Sequence, residues 1–298
     1  MSQTSSSMLD ESKDVWQRKG QLVNLRTLRM DCPQYFTVPF LRHVFERSPT
    51  LAAFHIQRET IGREKSFAME LAAIIRINSP SLRQVRIARA HETLGSRNGA
   101  LTIATSLAPR PLQGVHLDHL EGARSNRSAQ KIVSQHRTTL QDIRFLECQT
   151  LEKRTINRIL STCQAVERLQ IKQAGASLAG LRVKNLVKRM WVCQNMTYLE
   201  LPVHETHFQD TMYYQHCHRR FEPEQEDAKL WSRWKELYTT IGQLWSLETL
   251  KLRRVENHQG QEAGIEHTLP AKLALGNIRR RELGYLQLLS DLRQLKAL

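Results

Sequence analysis

Residues 159–171 read Ile-Leu-Ser-Thr-Cys-Gln-Ala-Val-Glu-Arg-Leu-Gln-Ile, a passage that ends in three apolar residues at Val166, Leu169 and Ile171. The same phrase, apolar at i, i+3 and i+5, recurs seven more times in the 298-residue chain. The other copies begin at Leu25, Leu51, Leu82, Leu112, Leu140, Met196 and Leu247, so the successive intervals are 26, 31, 30, 28, 26, 30 and 51 residues. A period of about 20 to 50 residues predicts a solenoid, in which each unit buries its apolar edge against its neighbours.

Apolar residues at helical spacing precede several copies of the phrase, which predicts a unit of helix, turn, short strand and loop. These stripes are Val38/Leu41/Val44/Phe45, Phe67/Leu71/Ile74/Ile75, Ile156/Ile159/Leu160 and Val183/Leu186/Val187/Met190/Trp191. The turn repeats as well, because a Ser, Pro or Cys stands three residues before the first apolar position at Ser48, Ser79, Pro109, Cys163 and Cys193. We expect the two cysteines to act as small buried residues that close the helix onto the strand.

The regularity breaks after Leu201, where residues 204–229 are polar and irregular and lengthen one interval to 51 residues. We interpret this stretch as an insertion on one edge of the solenoid. Helical spacing resumes at 230–241, and a last, incomplete unit begins at Leu286. The predicted organisation is a disordered Ser-rich N-terminus at 1–12 and a single repeat domain at 13–298.

The composition narrows the class of partner. Lys and Arg total 44 against 29 Asp and Glu, which gives a net charge of +15 and a pI near 10.0. Such a charge favours acidic partners. The five cysteines are scattered without paired spacing, no apolar stretch reaches about 18 residues, and Met1 to Met8 lacks a hydrophobic signal core. These features predict an intracellular protein, cytoplasmic or nuclear, with no disulfide framework and no membrane span.

The passage Ile159-Leu160-x-x-Cys163-x-x-Val166-x-x-Leu169-x-Ile171 resembles the cysteine-containing type of leucine-rich repeat. The wider layout is similar to that of fungal F-box and leucine-rich-repeat proteins, although no F-box helical trio precedes Leu25. The resemblance implies an α/β horseshoe with a curved parallel sheet on its concave face and helices on its convex face. It also implies the substrate-recognition part of a ubiquitin-ligase receptor, with a ligase adaptor as partner if an F-box exists outside this chain.

Because strand residues alternate between two faces, the residues between the apolar positions should point away from the core. The residue between the second and third apolar positions is Arg29, His55, Arg86, His116, Arg144, Gln170, Glu200 or Lys251 in successive copies. With neighbouring outward cations, the predicted partner-binding residues are Arg29, His55, Arg86, His116, Arg144, Arg168, Lys172, Lys251 and Arg253.

Two interpretations of this basic row stay open, a docking face for an acidic or phosphorylated protein segment and a solvated strand face in an Arg-rich protein. Nucleic-acid binding, driven by the net charge, is the alternative function. It is disfavoured because Tyr198 is the single aromatic among these outward positions, and bases need stacking partners.

One cluster invites a metal hypothesis, since its side chains are ligands that zinc prefers. Its members, all within the predicted insertion, are His204, His207, His216, Cys217 and His218. The spacing lacks a second well-separated pair, so no metal site is predicted. No nucleophile constellation, phosphate-binding glycine loop or catalytic carboxylate pair is recognisable either, and we predict neither an enzyme nor a cofactor.

Overall fold

A computed structural model describes residues 24–31, 37–57, 65–88, 111–118, 123–148, 151–172, 181–187, 189–204 and 223–254. The strands are β1 (Thr27–Asp31), β2 (Ala53–Gln57), β3 (Gln84–Ala88), β4 (Gly114–Asp118), β5 (Asp142–Leu146), β6 (Arg168–Lys172), β7 (Leu181–Arg182), β8 (Tyr198–His204) and β9 (Thr249–Arg254). The helices are α1 (Val38–Glu46), α2 (Lys65–Asn78), α3 (Ala123–His136), α4 (Lys153–Thr162), α5 (Val183–Leu186) and α6 (Pro223–Gly242).

The strands of the described residues form one parallel sheet in which neighbours in the chain are neighbours in space. Each strand from β1 to β6 pairs with the next, β8 follows β6, and β9 lies on the far side of β8. The two-residue β7 pairs with Val203 and His204 at the end of β8. The predicted side-by-side arrangement of the recurring phrases, in an α/β protein with a parallel sheet, is confirmed.

The pairing register aligns equivalent positions of the phrase. Phe54, for example, lies opposite Leu28 on one side and Val85 on the other. The second and third apolar positions from β2 to β9 are buried, and they form one continuous core with the apolar residues of the helices. We call this side of the sheet the covered face and the opposite side the open face.

Helix α1 shows how the sequence builds one unit. The side chain of Thr37 caps the helix by accepting a hydrogen bond from the Phe40 amide at 3.4 Å, and a proline stands in the first turn. The buried side chains include Leu41 and Phe45, and the Phe45 ring meets Phe54 edge to face with 5.4 Å between ring centroids. Consecutive helices then contact one another, as α1 does α2 and α3 does α4.

The recurring turn residues lie in the core. Ser48, Ser79, Cys163 and Cys193 are fully buried, and the Ser48 hydroxyl donates to the Val44 carbonyl at 2.8 Å. Burial raises the pKa of the Cys163 thiol to about 11 and that of Cys193 to about 12. Both side chains therefore stay protonated near neutral pH and act as small hydrophobes, as expected. Pro109 lies outside the described residues.

Two element boundaries differ from the prediction. The expected helix over 183–191 ends at Leu186 because the chain turns back: Trp191 becomes buried and its ring N–H donates to the Leu186 carbonyl at 3.1 Å, while Met190 is 79% exposed. Helix α6 begins at Pro223, so the last seven residues of the predicted irregular stretch are helical.

Helix α3 was not predicted at all, although Ala129, Ile132 and Val133 are buried at helical spacing. The predicted disordered N-terminus, most of the predicted insertion and the incomplete last unit lie outside the described residues. Across the part of the chain that is described, no helix combines the length and apolarity needed to span a bilayer.

The open face of the sheet as a candidate docking site

The open face presents rows of side chains that run across the strands, at the first, third and fifth residue of each strand that carries the phrase. The central row holds the third residue of each unit, namely Arg29, His55, Arg86, His116, Arg144, Gln170, Glu200 and Lys251, and the register places each beside the next. The first row holds the residue two positions earlier, namely Thr27, Ala53, Gln84, Gly114, Asp142, Arg168, Tyr198 and Thr249. The side-by-side alignment expected for the central row is therefore observed.

The central row begins with a basic segment of three residues, Arg29, His55 and Arg86, which we call the basic triplet. The Arg86 side chain is exposed, and that of Arg29 is 61% exposed with a long ion pair of 3.7 Å to Asp31. Such an exposed pair contributes little to stability and leaves the guanidinium accessible. Neighbouring strands are about 4.8 Å apart, so the backbones at Arg29 and Arg86 are separated by roughly 10 Å.

The pKa of His55, in the middle of the triplet, is shifted by its surroundings. Partial burial lowers its pKa below the ordinary value, and the nearby charges of Arg86, His116 and Arg29 lower it further. Burial and the positive charges beside the imidazole therefore both disfavour its protonated form.

The next segment of the face is held together by Asp142, and we call Gln84, His116, Asp142 and Arg144 the Asp142 cluster. Arg144 donates to both carboxylate oxygens, at 2.9 Å from Nε and 2.7 Å from the terminal nitrogen. His116 Nε2 lies 2.9 Å from Asp142 Oδ2, and the Gln84 amide lies 3.3 Å from the same ring. A neutral imidazole with its proton on Nε2 satisfies both contacts, donating to Asp142 and accepting from Gln84.

The cluster fixes the charge of Asp142. Burial alone would raise its pKa, but hydrogen bonds from His116 and Arg144, together with the positive charge of Arg144, lower the pKa to about 2. Gly114 provides the room, because a Cβ at that position would lie 2.9 Å from Gln84 Cγ. The Gln84 side chain therefore crosses directly over Gly114 to reach His116.

A second group of hydrogen-bonded side chains lies on β6 and β8. Glu200 is fully buried, and its Oε2 accepts hydrogen bonds from Gln170 at 2.9 Å and from the Tyr198 hydroxyl at 2.6 Å. The Arg168 guanidinium lies over the Tyr198 ring, 4.0 Å from its centroid. The single outward aromatic is thus already covered by a cation from the same face.

The residues that the sequence predicted as partner-binding differ in whether their side chains are exposed or already contact other side chains of the protein. His116 is only 7% exposed and Arg144 is bound by Asp142, while Arg168 stacks on Tyr198. Lys172 is half-buried and Lys251 is exposed beside Glu200. Arg253 lies on β9 opposite Pro202, but its side chain lies outside the described part of the chain. The exposed arginines of the central row are thus Arg29 and Arg86, on either side of His55.

The prediction did not include the hydrogen bonds by which Gln84, Asp142, Tyr198 and Glu200 bind other side chains of the face. The sequence does carry a signal for one of them, because Asp142 precedes Arg144 by two residues and so shares its face. In the described ranges no group of three or more His, Cys, Asp or Glu could hold a metal ion. His204 ends β8, and the rest of the suggested His/Cys cluster lies outside those ranges.

Comparison with known proteins places the chain in no family. No family model matches it. No curated protein matches it either. Among solved structures, it is similar to a Caenorhabditis elegans tropomodulin C-terminal domain with a TM-score of 0.31 and 12% identity, over 51% of this chain and 88% of that one.

Proposed function

We propose that the chain is a non-enzymatic protein-interaction module, a leucine-rich-repeat solenoid that binds an anionic segment of a partner protein on its open face. The observation that carries this proposal is the basic triplet, in which Arg29 and Arg86 are exposed on either side of His55 in one register. Forked guanidinium donors suit carboxylate and phosphate groups.

The layered arrangement supports a horseshoe shape. Packed helices need about 8 to 10 Å between axes, whereas paired strands need about 4.8 Å. A structure with consecutive helices on one side and consecutive strands on the other is therefore wider on the helical side. The sheet then lies on the inner, concave side, where the open face can surround a bound segment.

The spacing of the triplet suggests how the segment lies. A segment in the polyproline II conformation advances about 3.1 Å per residue and repeats its side-chain direction every three residues, so the roughly 10 Å between Arg29 and Arg86 corresponds to about one turn. The partner segment would cross the strands, with acidic or phosphorylated residues three positions apart. The resemblance to fungal F-box and leucine-rich-repeat proteins extends the proposal to substrate recognition for a ubiquitin ligase, with a ligase adaptor as a second partner if an F-box exists outside this chain.

A binding experiment with matched charge reversals tests the proposal. An array of synthetic peptides with glutamate or phosphoserine at i and i+3 would be probed with the wild-type protein and with Arg86→Glu and Arg29→Glu. The control is Arg154→Glu, the same charge change at an exposed position of helix α4, on the other side of the sheet. We expect each triplet reversal to weaken binding by about tenfold or more, since a hydrogen bond to a charged group contributes about 1.5–3 kcal/mol.

Two outcomes would contradict the proposal. Equal losses in Arg154→Glu would show that net charge, and not the triplet, attracts the peptides. Tighter binding to single-stranded RNA or DNA, with affinity falling steeply as salt rises, would favour the nucleic-acid function that the charge of +15 also allows.

A further inference from the structure

The middle residue of the basic triplet is the one whose charge can change near neutral pH. His55 is flanked by Arg29 on β1 and Arg86 on β3, and His116 lies one strand further on. The other charged group that faces this region from β1 is Asp31, which is paired with Arg29 at 3.7 Å. The imidazole is thus surrounded mainly by positive charge.

We propose that an anionic segment docking on Arg29 and Arg86 makes His55 take up a proton, so that partner binding strengthens as the pH falls. The proposal rests on the function proposed above and adds its regulation. It makes His55 a third cationic contact that forms only in the complex.

The direction of the pH dependence follows from the linkage between proton binding by His55 and binding of the partner. In the free protein, burial and the charges of Arg86, His116 and Arg29 lower the pKa of His55. A bound anion offsets the two arginines and interacts directly with an imidazolium, so the pKa of His55 in the complex must be higher than in the free protein. The complex then holds more protons than its free components between the two pKa values, and affinity rises as the pH falls through that interval.

His116 cannot take this role as readily, although it belongs to the same row. Its Nε2 lies 2.9 Å from Asp142, its ring contacts Gln84, and its side chain is only 9% exposed. A ligand at the triplet would therefore meet His55 before His116. The two histidines can be separated by mutation.

The peptide used to measure binding should carry no group that titrates in the same pH range as His55. A phosphopeptide is unsuitable, since the second pKa of phosphate is about 6. An octaglutamate peptide is suitable, because its carboxylates titrate at about 4.3. Its dissociation constant would be measured by calorimetry at pH 7.5, 6.5, 5.5 and 5.0 with the full chain. We expect the constant to fall about three- to tenfold from pH 7.5 to 5.0, which corresponds to a change in pKa of up to about one unit.

Three variants identify the titrating group. His55→Gln should remove the pH dependence, whereas His116→Gln and the control His43→Gln, on helix α1, should keep it. Circular dichroism at each pH would verify that each variant is folded. Independently, NMR titration of the His55 ring in the wild-type protein should show a higher pKa with octaglutamate than without it.

The outcomes separate the two proposals. Binding that is lost in Arg86→Glu but does not depend on pH, or that keeps its pH dependence in His55→Gln, overturns the proton coupling and leaves the docking face intact. An unchanged His55 titration in the bound protein also overturns it. The absence of octaglutamate binding at every pH overturns the docking face and, with it, the coupling.

Discussion

Successive residues of the same strand lie on opposite faces of the sheet, and the two faces differ in composition. Phe54 is fully buried on the covered face, and its neighbour His55 lies on the open face between two arginines. On the covered face every aligned position from β2 to β9 is apolar, whereas on the open face the aligned positions alternate among cations, carboxylates and neutral groups. One face therefore determines whether the units stack, and the other is the face proposed for binding.

Side chains on the two faces contribute different amounts to the free energy of unfolding. Burying a large apolar side chain contributes about 1.5–3 kcal/mol, and removing it leaves a cavity that adds to the loss. Exposed ion pairs, such as Arg29–Asp31, contribute about 0–1 kcal/mol. The exposed residues of the open face could therefore be changed at little cost in stability.

The largest effect is expected at Phe54. Replacing it with alanine should lower the free energy of unfolding by about 3–5 kcal/mol, because the side chain is fully buried and its ring contacts Phe45. Urea denaturation followed by circular dichroism measures the change. The matched substitution on the open face, Arg86→Ala, should change the free energy by no more than about 0.5 kcal/mol. Comparable losses in the two variants would contradict the division into two faces.

An intermediate effect is expected at Asp142, where the open face is internally paired. Asp142→Asn should lower the free energy of unfolding at pH 7 by about 1–3 kcal/mol, because Arg144 and His116 lose a charged acceptor. The pKa of Asp142 is about 2 in the folded protein, below its ordinary value of 3.8, so the contribution of the carboxylate is present above pH 4. It is lost as the pH falls from about 4 to 2.

The measurement is a set of urea titrations between pH 7 and pH 2.5 for the wild type and for Asp142→Asn. The two stability curves should approach each other toward the acid end, because protonation of the carboxylate in the unfolded protein removes most of its contribution by pH 2.5. Asp31→Asn, which removes an exposed carboxylate from the same face, serves as the control and should stay close to the wild type throughout. A constant difference between the wild type and Asp142→Asn at every pH would show that the carboxylate charge is not responsible.

The covered face could be predicted from the sequence because its apolar residues recur at regular spacings. Alternation along each strand and the recurrence of the phrase together specify which residues are buried and which pair across strands, as the alignment of Phe54 with Val85 shows. Helices with clear apolar stripes, such as α1, were found for the same reason. Helix α3 was missed because its apolar residues are few, and α5 ends early because Trp191 turns back to bond with Leu186.

The open face could be predicted only as a row of positions. The sequence indicated that Arg144 and His116 point outward, but their pairing depends on Asp142, which follows His116 by 26 residues and lies on the neighbouring strand. Glu200 was part of the expected row, yet its burial arises from contacts with Tyr198 and Gln170 that no local pattern encodes. Cross-strand polar contacts of this kind depend on side-chain conformations, which periodicity does not specify.

The smallest effect, and the one that tests the open face most sharply, is expected at Gly114. Alanine is ordinarily preferred over glycine in a strand by about 0.5–1 kcal/mol, so an unhindered position would be stabilised. Here the added Cβ would lie 2.9 Å from Gln84 Cγ and push the amide away from His116. We expect Gly114→Ala to lower the free energy of unfolding by up to about 1 kcal/mol, as one hydrogen bond is lost. Urea denaturation in a double-mutant cycle with Gln84→Ala gives the decisive comparison: without the Gln84 side chain, Gly114→Ala should stabilise the protein, and a change of the same sign in both backgrounds would mean that Gln84 does not cross over Gly114.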